Sequence, residues 1–375
     1  MRKLLKAISN YIKLIDKWLI FLALSCSAFG IVLIYSATNN TLLGERNVTV
    51  QLFCLLFGFI LMLLISKFDF ELYEDIAKYI FIVFIVALIV TYFVATEVKG
   101  NRNWINFGLI NLQTSEIAKF AFIITMSVHI SKLDENLNEF KNILFVLLHF
   151  LAYIIPILIQ GDVGSALIYL AMFTVMLFIG GLKLRYFAGA TVVLVASSGF
   201  IWNSLLMDYM KNRIISTFNP ELDPLKTGYQ AIQSKIAIGS GKMWGNGLFN
   251  GIQTQYNLLP EKHTDFIFSV AGEELGFVGC SLIILLLTLL IFRIVRNGSR
   301  SKNNLGTIIC FGVAAMLGAQ MLENIGMCIG FLPVIGITLP LFSYGGSSLI
   351  SVFICLGLVL NVASQKTGIN FKDEI

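Results

Sequence analysis

A chain of 375 residues that is 57% hydrophobic and only 13% charged, with a mean hydropathy of +0.82, is not a soluble globular domain. Its formal charge of +5 comes with no basic stretch interleaved with aromatics, which excludes a nucleic-acid groove and any nucleic-acid partner. Apolar runs long enough to cross a bilayer recur throughout, so the sequence reads as an all-α, polytopic membrane protein forming a single domain over 1–375.

The predicted spans are 18–37, 49–66, 77–95, 113–131 and 142–160, then 164–182, 186–206, 266–292, 305–330 and 346–365, about ten in all. The first run follows basic residues but lacks a small-residue cleavage site, so it is a retained helix rather than a signal peptide. The short linkers 160–163 and 183–185 leave open the alternative of re-entrant segments. Arg2, Lys3, Lys6, Lys13 and Lys17 precede the first span, and Arg293, Arg296, Arg300 and Lys302 surround the linker near residue 298. Loops of the opposite phase hold little beyond Arg46, Lys99 and Arg102, so the N and C termini are expected to be cytoplasmic. One large extracellular loop, 207–265, then separates the seventh and eighth helices. Cys26, Cys54, Cys280, Cys310, Cys328 and Cys355 fall inside spans at spacings that match neither a disulfide framework nor a metal site, and read as packing residues.

Function must come from the polar residues that interrupt the apolar pattern. In Gln113–Lys119, Glu116 and Lys119 stand three apart on one helix face, where a structural ion pair and a functional one are equally compatible with the spacing. Arg102 and Trp104 lie just upstream; an interfacial anchor accounts for the tryptophan. Asp162, before Val163 and Gly164, can cap the following helix or face a cavity. In the long loop, Lys211, Arg213 and Lys235 precede a glycine-rich run, 239–247, that suits either a phosphate cradle or a surface turn but matches no nucleotide fingerprint. Asp265 ends the string Pro260-Glu261-Lys262-His263-Thr264-Asp265 at the mouth of an apolar helix, where an ionisable group is costly unless it serves chemistry or ion passage. Ser269, Gly272, Glu273 and Gly276 follow on one stripe, the glycines allowing close helix approach and Glu273 a partner for a buried cation. Gln320–Met327, then Leu332–Pro340 and Ser343–Ser348, read as irregular backbone buried in protein.

These stretches, in this order, resemble the SEDS family of cell-wall polymerases, whose members include RodA, FtsW and a sporulation protein. The specific strings are Leu259–Phe268 and Gly272-Glu273-Glu274-Leu275-Gly276, and the similarity runs over nearly the whole chain after about residue 20. Gln233–Gly241 and Asn250–Gln255 are similar to the RodA subgroup. The resemblance implies a peptidoglycan glycosyltransferase of the bacterial cytoplasmic membrane that joins lipid II into β-1,4 glycan during elongation and releases undecaprenyl diphosphate. Division-type membership is the alternative within the family.

The family's essential acid matches Asp265, which would act as the general base, a role worth about 10² to 10⁴ in rate. The resemblance carries substrate-binding roles to Arg102, Glu116, Lys119, Asp162, Arg213, Lys235, His263, Thr264 and Ser347. Charge on the departing pyrophosphate would be met by lysine and arginine side chains or by a divalent cation, Mg²⁺ or Mn²⁺. It also implies partners: a class B penicillin-binding protein and other membrane proteins of the elongation machinery. Thr114, Gly161 and Thr338 stand where the family often has proline, which puts loop rigidity in question. Two rival readings remain, a lipid II transporter using Glu116, Lys119 and Glu273 as a path, and a scaffold for the transpeptidase.

Overall fold

The computed structural model describes residues 15–39, 44–68, 70–96, 101–106, 111–222 and 227–365. The basic tail residues Arg2, Lys3, Lys6 and Lys13, and Lys99, lie outside them. Each predicted span coincides with a helix: α1 (Lys17–Thr38), α2 (Gly44–Ile65), α3 (Phe70–Val94), α4 (Thr114–Leu133), α5 (Phe140–Ile159), α6 (Val163–Ile179), α7 (Leu184–Phe200), α11 (Ile267–Ser299), α12 (Asn304–Cys328) and α13 (Gly346–Gln365). Seven of these, α1, α2, α3, α5, α11, α12 and α13, are long and apolar enough to cross a membrane, which makes this a multi-pass membrane protein. α6 and α7 are shorter apolar helices, and α4 is interrupted by Glu116 and Lys119.

Helix starts are set by side chains that accept the first free backbone N–H groups. Asp16 accepts from the Leu19 amide at α1, Asp162 from Ser165 at α6, and Asn303 from Leu305 at α12. Between α3 and α4 a short antiparallel hairpin pairs β1 (Trp104–Asn106) with β2 (Asn111–Gln113). The predicted long loop is not irregular. It holds α8 (Asp208–Phe218), α9 (Thr227–Ser240) and the single turn α10 (Ile252–Gln255).

The core runs through α13, 83% of whose apolar window is buried, against 17% for α3 at the periphery. α13 packs on α2, where Gly58 meets Phe353 and Gly357 meets the Met62 backbone. α11 lies against α1 and α12, and α12 against α6 and α4. Exposed Leu, Val and Phe side chains cover the outside of α2, α3 and α7, as a lipid-facing surface requires. All six cysteines are free and buried, in keeping with packing roles.

α11 is broken once, at Gly276 (φ 67°, ψ −161°), a conformation closed to residues with a Cβ. The glycine-rich run 239–247 fills the break. Phe277 and Val278 donate to the Lys242 and Met243 carbonyls at 2.9 and 3.2 Å, while the freed carbonyls of Glu273 and Glu274 accept from Asn246 and Gly247 at 3.0 and 2.9 Å. The run is therefore a backbone plug, neither a phosphate cradle nor a loose turn, and its Asn246 and Gly247 amides are already engaged. Gly245 must be glycine, because a Cβ there would fall 2.1 Å from the Glu274 carbonyl oxygen.

Candidate active site

The string that precedes α11 folds into one tight turn. The Glu261 carbonyl accepts from the amides of Thr264, Asp265 and Phe266 at 3.2, 3.0 and 3.2 Å, and the Thr264 hydroxyl bonds the Glu261 carboxylate at 3.0 Å. Phe266 is fully buried and fixes the far side of the turn. The Asp265 carboxylate is half-buried and lies over Gly336, where an added Cβ would sit 3.3 Å from its Oδ2.

Neighbouring segments hold this turn from three directions. Asn324 on α12 donates to the carbonyls of both Asp265 and Ile337 at 2.7 Å, tying the acid to the loop between α12 and α13. The amide of Tyr344 donates to the His263 carbonyl at 2.8 Å, and the two rings stand 5.5 Å apart. Lys262 is buried, with its ammonium on the Thr254 carbonyl and, at 2.8 Å, on Asn257 Oδ1. Burial pushes the Lys262 amine below its usual range, against Glu274 and Glu273, which pull it up.

Glu273 feels a buried cation, Lys262, as the sequence suggested, but its direct partners are backbone amides and a hydroxyl. Its oxygens accept from the amides of Gln253 and Thr254 at 2.7 and 2.9 Å and from the Thr254 hydroxyl at 2.6 Å. Glu274 is taken by the Ser36 hydroxyl at 2.5 Å and by Gln255 Nε2 at 2.9 Å. These two acids anchor α10, and α10 in turn anchors Lys262, so a buried network supports the Asp265 turn.

A second polar group sits beside the first. Asp162 is a hub: its Oδ2 accepts from Asn103, Gln113, Ser115 and Ser165 side chains at 3.0, 2.8, 2.7 and 2.8 Å, and its Oδ1 caps α6. Glu116 and Lys119 form a buried pair at 2.5 Å, and Ser351 on α13 bonds the Glu116 carbonyl. Oε2 of Glu116 and the hydroxyl of Ser347, both buried, have no hydrogen-bond partner among the described residues. The two groups are joined through the α12–α13 loop, since Gly164 on α6 packs against Ile335 and Ile337, the neighbours of Gly336.

Of the remaining predicted site residues, Arg102 and Lys235 touch segments of these two groups, and Arg213 stands on a helix that reaches them only through α9. Arg102 is exposed on the hairpin, 5.9 Å over the Tyr92 ring, with its amide on the Gln160 carbonyl. Lys235 is exposed on α9 and its side chain lies against Gly330, at the start of the α12–α13 loop. Arg213 is half-buried on α8, which packs against α9. Ser347 opens α13 next to Ser348, whose hydroxyl is 3.1 Å from that of Thr338.

The three positions expected as proline are tied in other ways. Thr114 and Thr338 carry hydroxyls that bond Thr91 and Ser348 at 2.6 and 3.1 Å. Gly161 has φ 82°, which no proline can adopt. Sequence reasoning passed over Gln51, the last amide side chain before the apolar stretch of α2. It bonds the Ser343 carbonyl at 3.1 Å and the Gly345 amide at 3.2 Å and so clamps the loop under Asp265. Its position next to a long apolar run was the available signal. Asn324 lies in the polar stretch Gln320–Met327, where residue type alone points to no role for it.

Among the described residues no group of three or more His, Cys, Asp or Glu converges as a metal centre needs. A divalent ion at Asp265 would have to take most of its ligands from substrate phosphates and water, as Mg²⁺ commonly does.

Comparison with known proteins gives the setting for this geometry. The family model described as cell cycle protein, uniting FtsW, RodA and SpoVE, matches residues 16–368. Peptidoglycan glycosyltransferase MrdB of Escherichia coli is 33% identical over 353 residues, 94% of each chain. The probable peptidoglycan glycosyltransferase FtsW of Geobacter metallireducens is 34% identical over 372 residues, 97% of each. A chain from a peptidoglycan synthase complex, solved to show the structural coordination of polymerization and crosslinking, superposes with a TM-score of 0.81 at 28% identity, covering 95% of this chain and 99% of that one.

Proposed function

Because the chain belongs to the SEDS family of FtsW, RodA and SpoVE proteins, we propose that it is a peptidoglycan glycosyltransferase that polymerises lipid II with Asp265 as general base. The observation that carries this reading is the placement of Asp265. A half-buried carboxylate sits at the mouth of α11 on a turn fixed by Glu261, Asn324 and Tyr344. An acid so held is preorganised to take the proton of an attacking sugar hydroxyl, and orientation of this kind is a large part of catalysis.

Arg102, Arg213 and Lys235 supply positive charge for the departing pyrophosphate, with Asp162 and the buried Glu116–Lys119 pair orienting their surroundings. His263 and Thr264 flank Asp265 on the same turn, and Ser347 completes the assigned substrate-binding set from the start of α13. A divalent cation bound with the substrate would add charge neutralisation, and no step here depends on it. All ten apolar helices cross the bacterial cytoplasmic membrane, both termini face the cytoplasm, and 207–265 lies on the outer face with Asp265 at its end. The working partner is a class B penicillin-binding protein, consistent with the likeness to a synthase complex. Elongation is the role assigned, on the RodA-like strings 233–241 and 250–255.

The test is a pair of readouts on the purified protein in vesicles with fluorescent lipid II. A polymerase lengthens the label into a glycan ladder. A transporter moves it across the bilayer unlengthened, and a scaffold does neither, so either of those results overturns the proposal. Depletion in the native cell separates elongation from division, since loss of rod shape and filamentation are opposite outcomes.

A further inference from the structure

At the end of the bundle opposite Asp265, α3, α4 and α5 line an open cavity of about 380 Å³ that the polymerisation site does not use. Its size falls within the range of small-molecule sites, roughly 300 to 1,000 Å³. Glu74, Lys78 and Lys132 form an exposed rim, while the walls are the apolar side chains of Ala77, Phe81 and Val128. α3, the least buried of the long apolar helices, forms one side, so the cavity borders lipid rather than the protein core.

The floor is polar and ordered. Nδ1 of His129 and Nδ1 of His149 are 3.0 Å apart, so one donates and the other accepts. His149 Nε2 is engaged with the Thr125 hydroxyl at 3.1 Å, and that hydroxyl with Tyr153 at 3.2 Å. The internal bonds thus use both nitrogens of His149 but only Nδ1 of His129, which leaves its Nε2 to the cavity among the described residues. Two lysines against one glutamate give the rim a single net positive charge when the histidines are neutral.

We propose that this cavity is a binding site for a phospholipid with a singly charged phosphodiester head group. Lys78 and Lys132 meet the phosphate, and one net charge on the rim matches one charge on the head. His129 Nε2 meets a polar oxygen of the head or ester region. Ala77, Phe81 and Val128 take the first methylenes of the chain. Basic pockets between membrane helices are built for such head groups, and each lysine contributes a factor of about five to their retention.

The experiment is native mass spectrometry of the full-length protein in detergent, titrated separately with phosphatidylglycerol, phosphatidylcholine and inorganic phosphate. Expected is one phosphatidylglycerol retained in preference to phosphatidylcholine, with retention lowered about thirtyfold in the double variant K78Q/K132Q. Ala77→Phe fills the cavity with the charges intact and is expected to abolish retention, whereas Arg300→Gln, on another exposed basic segment, leaves it unchanged. Should Ala77→Phe not fold, Val128→Phe fills the same space. Undiminished retention in K78Q/K132Q or in the filled variant overturns the site, and binding of inorganic phosphate without lipid preference overturns the lipid as its ligand.

Discussion

Replacing Glu273 by glutamine removes one charge and changes almost no volume, and the network around it gives the size of the effect. The carboxylate is fully buried and accepts three hydrogen bonds, one at Oε1 and two at Oε2. A glutamine keeps the larger share by turning its oxygen toward Thr254, and its NH₂ then faces the Gln253 amide, donor against donor. One charge-assisted bond is lost and one buried N–H is left unmet, a cost of about 2 kcal/mol. At roughly 1.4 kcal/mol per decade, amide exchange across 250–258 should speed up about thirtyfold. Because the Thr254 carbonyl holds Lys262, three residues from Asp265, polymerisation should also fall tenfold or more, in line with the roughly 10²-fold that a displacement near 1 Å can cost. Hydrogen-exchange mass spectrometry on the purified variant reads the first effect and a lipid II assay the second. Unchanged exchange in 250–258 would refute the claim that Glu273 anchors this segment.

Three further outcomes are expected. Asn324→Ala removes the donor shared by the Asp265 and Ile337 carbonyls, so lipid II turnover should drop about 10- to 100-fold with substrate binding largely kept, measured as separate turnover and affinity terms. Gly161→Pro imposes a negative φ on a turn at 82° and should cost about 3 kcal/mol or more, seen as a lowered unfolding temperature rather than as a repair of a family feature. Burial alone would raise the Asp16 pKa, but hydrogen bonds from Arg293, Asn297 and the Leu19 amide outweigh it and hold the carboxyl below its usual range. Its stabilisation is then complete above about pH 4 and fades as pH falls through the lowered value, so Asp16→Asn should lose stability at neutral pH and flatten the acid limb of a thermal-unfolding profile.

Much of this architecture is legible in the sequence because membrane helices announce themselves by run length. The predicted spans differ from the helices mainly at their ends, as at 186–206, where α7 stops at Phe200 and a wider turn follows over Ile201–Leu205. The turn around Asp265 was visible as a dense polar string at a helix mouth. Its supports were less so. The break at Gly276 depends on backbone bonds to residues 242–247, some thirty positions away, and no periodicity encodes such a pairing. Gly272 and Gly276 read as a helix-packing stripe, yet only Gly272 serves that purpose, against Ile238. Glu273 reads as a partner for a buried cation, and Lys262 is one, but residue types do not reveal that backbone amides will supply its direct donors. The histidine pair lies on two helices, twenty residues apart, and neither member stands out within its own run.

The most direct test of the central claim is polymerisation of labelled lipid II by the purified protein with its class B penicillin-binding protein, wild type against Asp265→Asn. Asparagine keeps the shape of the side chain and leaves the Asn324 bond, which goes to the backbone carbonyl, in place. The expected result is a glycan ladder from the wild type and none above background from the folded variant. Equal ladders from both would contradict Asp265 as the base.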